Sequence, residues 1–155
     1  MALASGRLRF HMRRILLATD FSKASRKAFS VAIATASRTR ATLTIVHVIA
    51  PLIPITPDQY VGMETWTEIE AQSRRWAIRQ LSALVEKARK AGVRAASVAV
   101  DGNAAEQIVR LARAKRADLI VVGTHGRTGI ARVFVGSVAS QVVARSACPV
   151  MTVRG

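Results

Sequence analysis

Unbroken apolar runs of strand length alternate with helix-period stretches along nearly the whole chain. The runs are Arg14–Thr19, Thr42–Ile49, Val93–Val100, Asp118–Gly123 and Pro149–Val153. A strand apolar on both faces must be covered on both, so this pattern predicts an α/β fold. It calls for one open, mostly parallel sheet with helices on each side and right-handed crossovers. In such sheets a ligand sits beyond the carboxyl ends of the strands, where the winding direction reverses.

The helical stretches carry their own punctuation. Ser22 is a candidate N-cap for a helix from about Lys23 to Ser37, with Ala24, Ala28, Val31 and Ala32 at helical spacing. Pro51, Pro54 and Pro57 predict an irregular loop to about Tyr60, a candidate lid. A long helix follows from about Met63 to Ala91, with Ala77, Leu81, Leu84 and Ala88 on one face and Gly92 as its stop. Asn103 with Glu106 resembles a capping box for a helix ending near Arg116. Ser137–Arg145 is the last helical stretch.

The 155 residues fit one domain. No apolar run reaches the about 20 residues that a membrane-spanning helix needs. The single cysteine, Cys148, excludes an internal disulfide and reads as a small buried or half-buried side chain. Residues 1–12 are basic and lack the apolar centre of a secretory signal, so a flexible tail is expected before a domain at 13–155. The expected location is cytoplasmic. Lys and Arg number 24 against 9 Asp and Glu, a net charge of +15. Such a charge attracts polyanions, but the arginines are scattered and no nucleic-acid reader motif accompanies them. The expectation is a solvated basic surface with only non-specific nucleic-acid contact.

Chemistry concentrates between Val121 and Val138. A strand runs into Gly123, Gly126 follows, and Gly136 and Ser137 stand before the last helix. Glycine lets backbone approach a ligand closely, and a helix N-terminus offers free N–H groups and partial positive charge to a phosphate. The segment therefore reads as a phosphate cradle. The first strand ends at Ala18-Thr19-Asp20. If these two strands are neighbours, one crevice receives an acid from the first and a glycine cradle from the second. His47, inside an apolar strand, reads as a satisfied buried histidine, and Trp66 and Trp76 as packing. No P-loop is present.

Taken together, these residues resemble the universal stress protein family. The resemblance runs from Arg13 to Arg154. It rests on the opening strand Ile15 to Ser22, on Ile45-Val46-His47-Val48, on the Gly-x2-Gly-x9-Gly-Ser spacing from Gly123 to Ser137, and on Cys148-Pro149-Val150. It implies a five-stranded sheet of order 3-2-1-4-5, Rossmann-like and similar to the adenine nucleotide alpha hydrolases. The glycine spacing marks the ATP-binding group of the family. Asp20 is then expected at the ribose hydroxyls, with Ala18, Thr19, Val48 and Val122 bordering the nucleoside. Gly123 and Gly126 would admit the ribose and first phosphate, with His125 and Arg127 as donors between and beside them. Gly136, Ser137 and Val138 would hold the outer phosphates. The alternatives are that Asp20 merely begins a helix turn and that Ser137 serves only as an N-cap. The residue after Val138 is Ala139, where binders often carry a hydroxyl. The resemblance implies ATP, with ADP or AMP as alternatives and Mg2+ carried by the phosphates. It also implies a homodimer paired through Val150–Val153, a further protein partner, and a role in stress regulation. Slow ATP hydrolysis and charge-driven polyanion binding are the alternative functions.

Overall fold

The computed structural model describes residues 12–51, 63–124 and 136–155. Five strands and four helices alternate: β1 (Arg14–Ala18), α1 (Lys23–Thr39), β2 (Thr42–Ile49), α2 (Met63–Lys90), β3 (Ala95–Asp101), α3 (Ala104–Ala114), β4 (Leu119–Gly123), α4 (Ser137–Arg145) and β5 (Val150–Val153). They form one sheet of order β3-β2-β1-β4-β5 with every neighbouring pair parallel. The sequence expectation of a mostly parallel α/β sheet of order 3-2-1-4-5 holds. Winding proceeds outward from β1 through β2 to β3, then returns past β1 to β4 and β5. The reversal therefore lies between β1 and β4, where Leu17 pairs with Val121 and Ala18 with Val122.

Each sheet face has its own core. On one, Ile15, Leu17, Leu43, Ile45 and Val121 pack against α1 and α2, and Met12 lies half-buried against the same cluster. On the other, Leu16, Ala18, Val46, Ile120 and Val122 pack against α3 and α4. Leu16, Leu17, Ile45 and Ile120 are wholly excluded from solvent. Each such side chain contributes about 1.5–3 kcal/mol relative to an exposed one. Among the described residues no helix is long and apolar enough to cross a membrane.

Two predicted caps are in place. Ser22 Oγ accepts from the Ser25 amide at 3.2 Å, and Asn103 Oδ1 accepts from the Glu106 amide at 3.1 Å. Some boundaries differ from the sequence reading. β3 begins at Ala95, because the Val93 amide closes the end of α2 by donating to the Ala88 carbonyl. α3 ends at Ala114, short of Arg116, which adopts a left-handed backbone at φ 50°. β4 begins at Leu119, and the Asp118 side chain turns to the start of β1. Its Oδ2 accepts from the amides of Arg13 and Arg14 at 2.8 and 2.9 Å, fastening the start of β1. Partial burial acts to raise the Asp118 pKa, but these two amides and the Arg14 guanidinium outweigh it and hold the carboxyl below its ordinary value. The predicted lid falls in 52–62, outside the described residues.

Candidate functional site

Where β1 and β4 part, the carboxyl ends of the strands open into a cavity of about 540 Å³, within the range of about 300–1,000 Å³ common to small-molecule sites. One side is apolar. Ala18 comes from β1, Val46 and Val48 from one face of β2, Val122 from β4, and Ile108 from α3. The other side is polar, with Thr19, Asp20, Ser25, Thr124, Gly136 and Ser137. An apolar slot thus grades into hydroxyls, one carboxylate and backbone amides.

Asp20 is half-buried at the end of β1. Its Oδ1 accepts from the Ser22 amide at 3.0 Å, an Asx turn that leads into α1. The turn reading of Asp20 is therefore correct for one oxygen. The other has no partner among the described residues, and the residue lines the cavity.

A chain of hydroxyl bonds holds this turn. The Phe21 amide donates to Thr19 Oγ1 at 3.1 Å, Thr19 Oγ1 donates to Ser25 Oγ at 3.1 Å, and Ser25 Oγ donates to the Ser22 carbonyl at 3.0 Å. Hydrogen bonds linked in this way polarise one another. They offset a strained residue: Phe21 has φ 63°, a left-handed backbone unusual for a bulky side chain. The Phe21 ring lies 4.6 Å from that of His47 and 5.1 Å from that of Trp76, edge-on to the latter. Arg26 Nη1 donates to the Phe21 carbonyl at 2.9 Å. His47 is half-buried, and its Nδ1 lies 2.8 Å from the Thr19 carbonyl oxygen. Its expected role as a satisfied histidine holds, with more exposure than a buried one.

The start of α4 corrects one expectation. Gly136 is the N-cap and Ser137 the first helical residue, so Ser137 does not cap the helix. The Gly136 amide donates to the Thr124 carbonyl, tying the helix start to the end of β4, and among the described residues no side chain caps the first turn. The first amides of a helix lack intrahelical acceptors, and here they border the cavity through Ser137, Val138 and Ala139.

Gly123 also has a packing role beside the one expected of it. A Cβ there would lie 2.9 Å from the Ala24 carbonyl carbon and 3.0 Å from the Ser25 amide nitrogen. Its missing side chain lets α1 close onto β4, although the residue still borders the cavity.

Nine of the expected positions thus line one cavity: Ala18, Thr19, Asp20, Val48 and Val122 on the strand side, then Gly123, Gly136, Ser137 and Val138. His125, Gly126 and Arg127 lie outside the described residues, as do Gly129 and Arg132. Sequence reasoning missed Ser25, Val46, Ala50, Ala104, Ile108 and Thr124, which also line it. Val46 was recoverable, because residues two apart on a strand share a face. Among the described residues no cluster of His, Cys, Asp and Glu could hold a metal ion.

The chain matches the model of the Universal stress protein family over residues 11–154. It belongs to the universal stress protein family. It is 33% identical over 145 residues to the universal stress protein YxiE of Bacillus subtilis, covering 91% of this chain and 98% of that one. Among solved structures, protein MJ0577 superposes with a TM-score of 0.80 at 24% identity, covering 94% of this chain and 97% of that chain, and shares the fold. A universal stress protein in complex with cAMP superposes with a TM-score of 0.68 at 27% identity, covering 93% and 98% respectively. This universal stress protein therefore shares its fold with a member of the family solved with a cyclic nucleotide.

Proposed function

We propose that this universal stress protein binds an adenine nucleotide at the end of β1 and β4 and acts as a homodimeric stress-response regulator. ATP is the first expected ligand, with ADP and AMP as alternatives and Mg2+ carried on the phosphates. The observation that carries the reading is one cavity joining an apolar slot, a single carboxylate and an uncapped helix N-terminus. The slot between Val48, Val122 and Ile108 suits a purine. The free oxygen of Asp20 suits the ribose diol, since a carboxylate accepts from both hydroxyls. Amides of Ser137 and Val138 suit phosphate oxygens, and His125, Gly126 and Arg127 would complete that cradle. The relative solved with cAMP supports an adenine nucleotide as the ligand class.

The functional unit is the domain 13–155, with 1–12 as a tail. Among the described residues β5 pairs with β4 on one side only. Its outer edge is the expected dimer seam, where Val150–Val153 of two copies would pair across a two-fold axis. A protein partner would read the nucleotide-bound state.

Isothermal titration with ATP, ADP, AMP and cAMP, alongside light scattering for the oligomer, tests the reading. Saturable heat with any of the four and a dimer mass are expected. No heat, and no thermal shift, with all four would overturn the ligand.

A further inference from the structure

Nine of the arginines that look scattered in the sequence are gathered by the topology. In a parallel sheet with crossover helices, all strand starts and all helix ends lie at one pole, opposite the cavity. α1 ends with Arg38 and Arg40, and α2 with Lys87, Arg89 and Lys90. α3 ends with Arg113, Lys115 and Arg116, and α4 with Arg145. Arg13, Arg14 and Arg94 open strands, and every one of these side chains is exposed. Only two acids stand at this pole among the described residues. Asp118 is taken up by Arg14 and two amides, and Glu86 pairs with Arg89 at 3.3 Å. Other acids, including Asp20, Glu68, Glu70, Asp101 and Glu106, stand at helix starts and strand ends, toward the opposite pole.

The row across the sheet is the sharpest part. The Leu43 amide bonds to the Arg94 carbonyl, the Thr42 amide to that of Arg13, and the Asp118 amide to that of Arg14. Arg94, Arg40, Arg13 and Arg116 thus stand at the starts of four neighbouring strands. At about 4.8 Å per strand their backbones span about 14 Å, or about four phosphate steps at 3.4 Å per step.

Two of these arginines occupy costly backbone. At the turn into β3, Gly92 takes the left-handed position, φ 77°, as a helix terminus favours. At the turns into β2 and β4 the left-handed residues are Arg40, φ 56°, and Arg116, φ 50°. Helix dipoles favour cations in last turns, which accounts for Arg38, Lys87, Arg89, Lys90 and Arg113. They give no reason for Arg13, Arg14 and Arg94 at strand starts, or for arginine in place of glycine at two turns. Strain of this kind points to a function for the side chain.

From this we infer that the pole of strand starts is a binding face for the phosphate backbone of nucleic acid, read without sequence preference. Arginine outnumbers lysine there, and its planar fork suits phosphate. A membrane-surface face would add apolar anchors. Of the large exposed apolar side chains among the described residues, Ile69 and Ile78 lie within α2 away from this pole, and Val143, in the last turn of α4, stands at it as a single side chain rather than an apolar face.

The test is fluorescence anisotropy with a labelled mixed-sequence duplex of about 20 base pairs, between about 50 and 200 mM salt. The variant Arg40→Gly/Arg116→Gly removes two charges while relieving two left-handed residues, so thermal melting should show it no less stable. It should bind roughly tenfold more weakly, with the salt slope reduced by about two. Lys27→Gln/Arg79→Gln removes the same charge from exposed helix positions and should bind like the parent. Equal weakening by both variants would mean net charge alone and would overturn the face. So would no binding of the duplex at salts where anionic phosphatidylserine vesicles capture the protein.

Discussion

The imidazole of His47 bonds the carbonyl oxygen of Thr19 across 2.8 Å, bridging β2 to the end of β1 one residue before Asp20. A carbonyl only accepts, so Nδ1 carries the hydrogen. The bond, with the Phe21 ring tilted against the imidazole, fixes where the Asp20 carboxylate emerges. Replacing His47 by Leu removes the donor and leaves the carbonyl unpaired. The expected loss is about 1 kcal/mol in urea denaturation, together with weaker nucleotide binding. An unchanged binding constant would separate His47 from the site.

Asp20→Asn should divide turn from ligand. Asn keeps a side-chain oxygen for the Ser22 amide, so stability should change by less than about 0.5 kcal/mol. A hydrogen bond to a charged group contributes about 1.5–3 kcal/mol, so ATP affinity should fall about 10- to 100-fold. The parent protein should also prefer ATP over its 2′-deoxy analogue more strongly than the variant does. Equal titration curves for parent and variant would leave Asp20 as a turn residue alone.

Gly123→Ala should destabilise the protein without touching any charge. The new Cβ meets backbone atoms of Ala24 and Ser25 at 2.9 and 3.0 Å, and backbone yields less readily than a side-chain tip. Overpacking of this kind costs about 1–3 kcal/mol, readable as a lower urea midpoint at constant slope. A midpoint equal to the parent's would show that α1 can withdraw from β4 at no cost.

Asp118 sets a pH dependence. Its folded pKa lies below the unfolded one, held there by the Arg13 and Arg14 amides and the Arg14 guanidinium against partial burial. Its stabilisation is therefore complete above the unfolded pKa and disappears as pH falls through the folded one. Asp118→Asn should lose about 1 kcal/mol at neutral pH, and its difference from the parent should shrink below about pH 4. A difference that stays constant from neutral pH into acid would assign the effect to packing.

Much of the architecture was legible because it is written in unbroken apolar runs. Ile15 to Ala18 and Leu119 to Val122 could hardly be anything but central strands, and Ser22 and Asn103 announce helices by residue type. Boundaries slipped where backbone partners decide them, as at Val93, whose amide serves the end of α2. Ser137 looked like a cap by composition, but Gly136 takes that place through its bond to Thr124. Half of the cavity was readable from strand ends. Ile108 and Ala104 were not, because helix-to-face assignment is a tertiary fact. The left-handed turn at Phe21 leaves no mark that a residue type could carry. Gly123 was legible as important, but its contact with α1 was not, since closeness to a ligand and closeness to a helix demand the same missing atom.

The excess of cations over acids at the strand-start end, set against a near balance of the two signs at the cavity end, makes the molecule a permanent electrical arrow. In the field of a long polyanion it would rotate before contact and land tail first. The mouth at the other end would then face open solution, free to fill and empty while the protein stays moored.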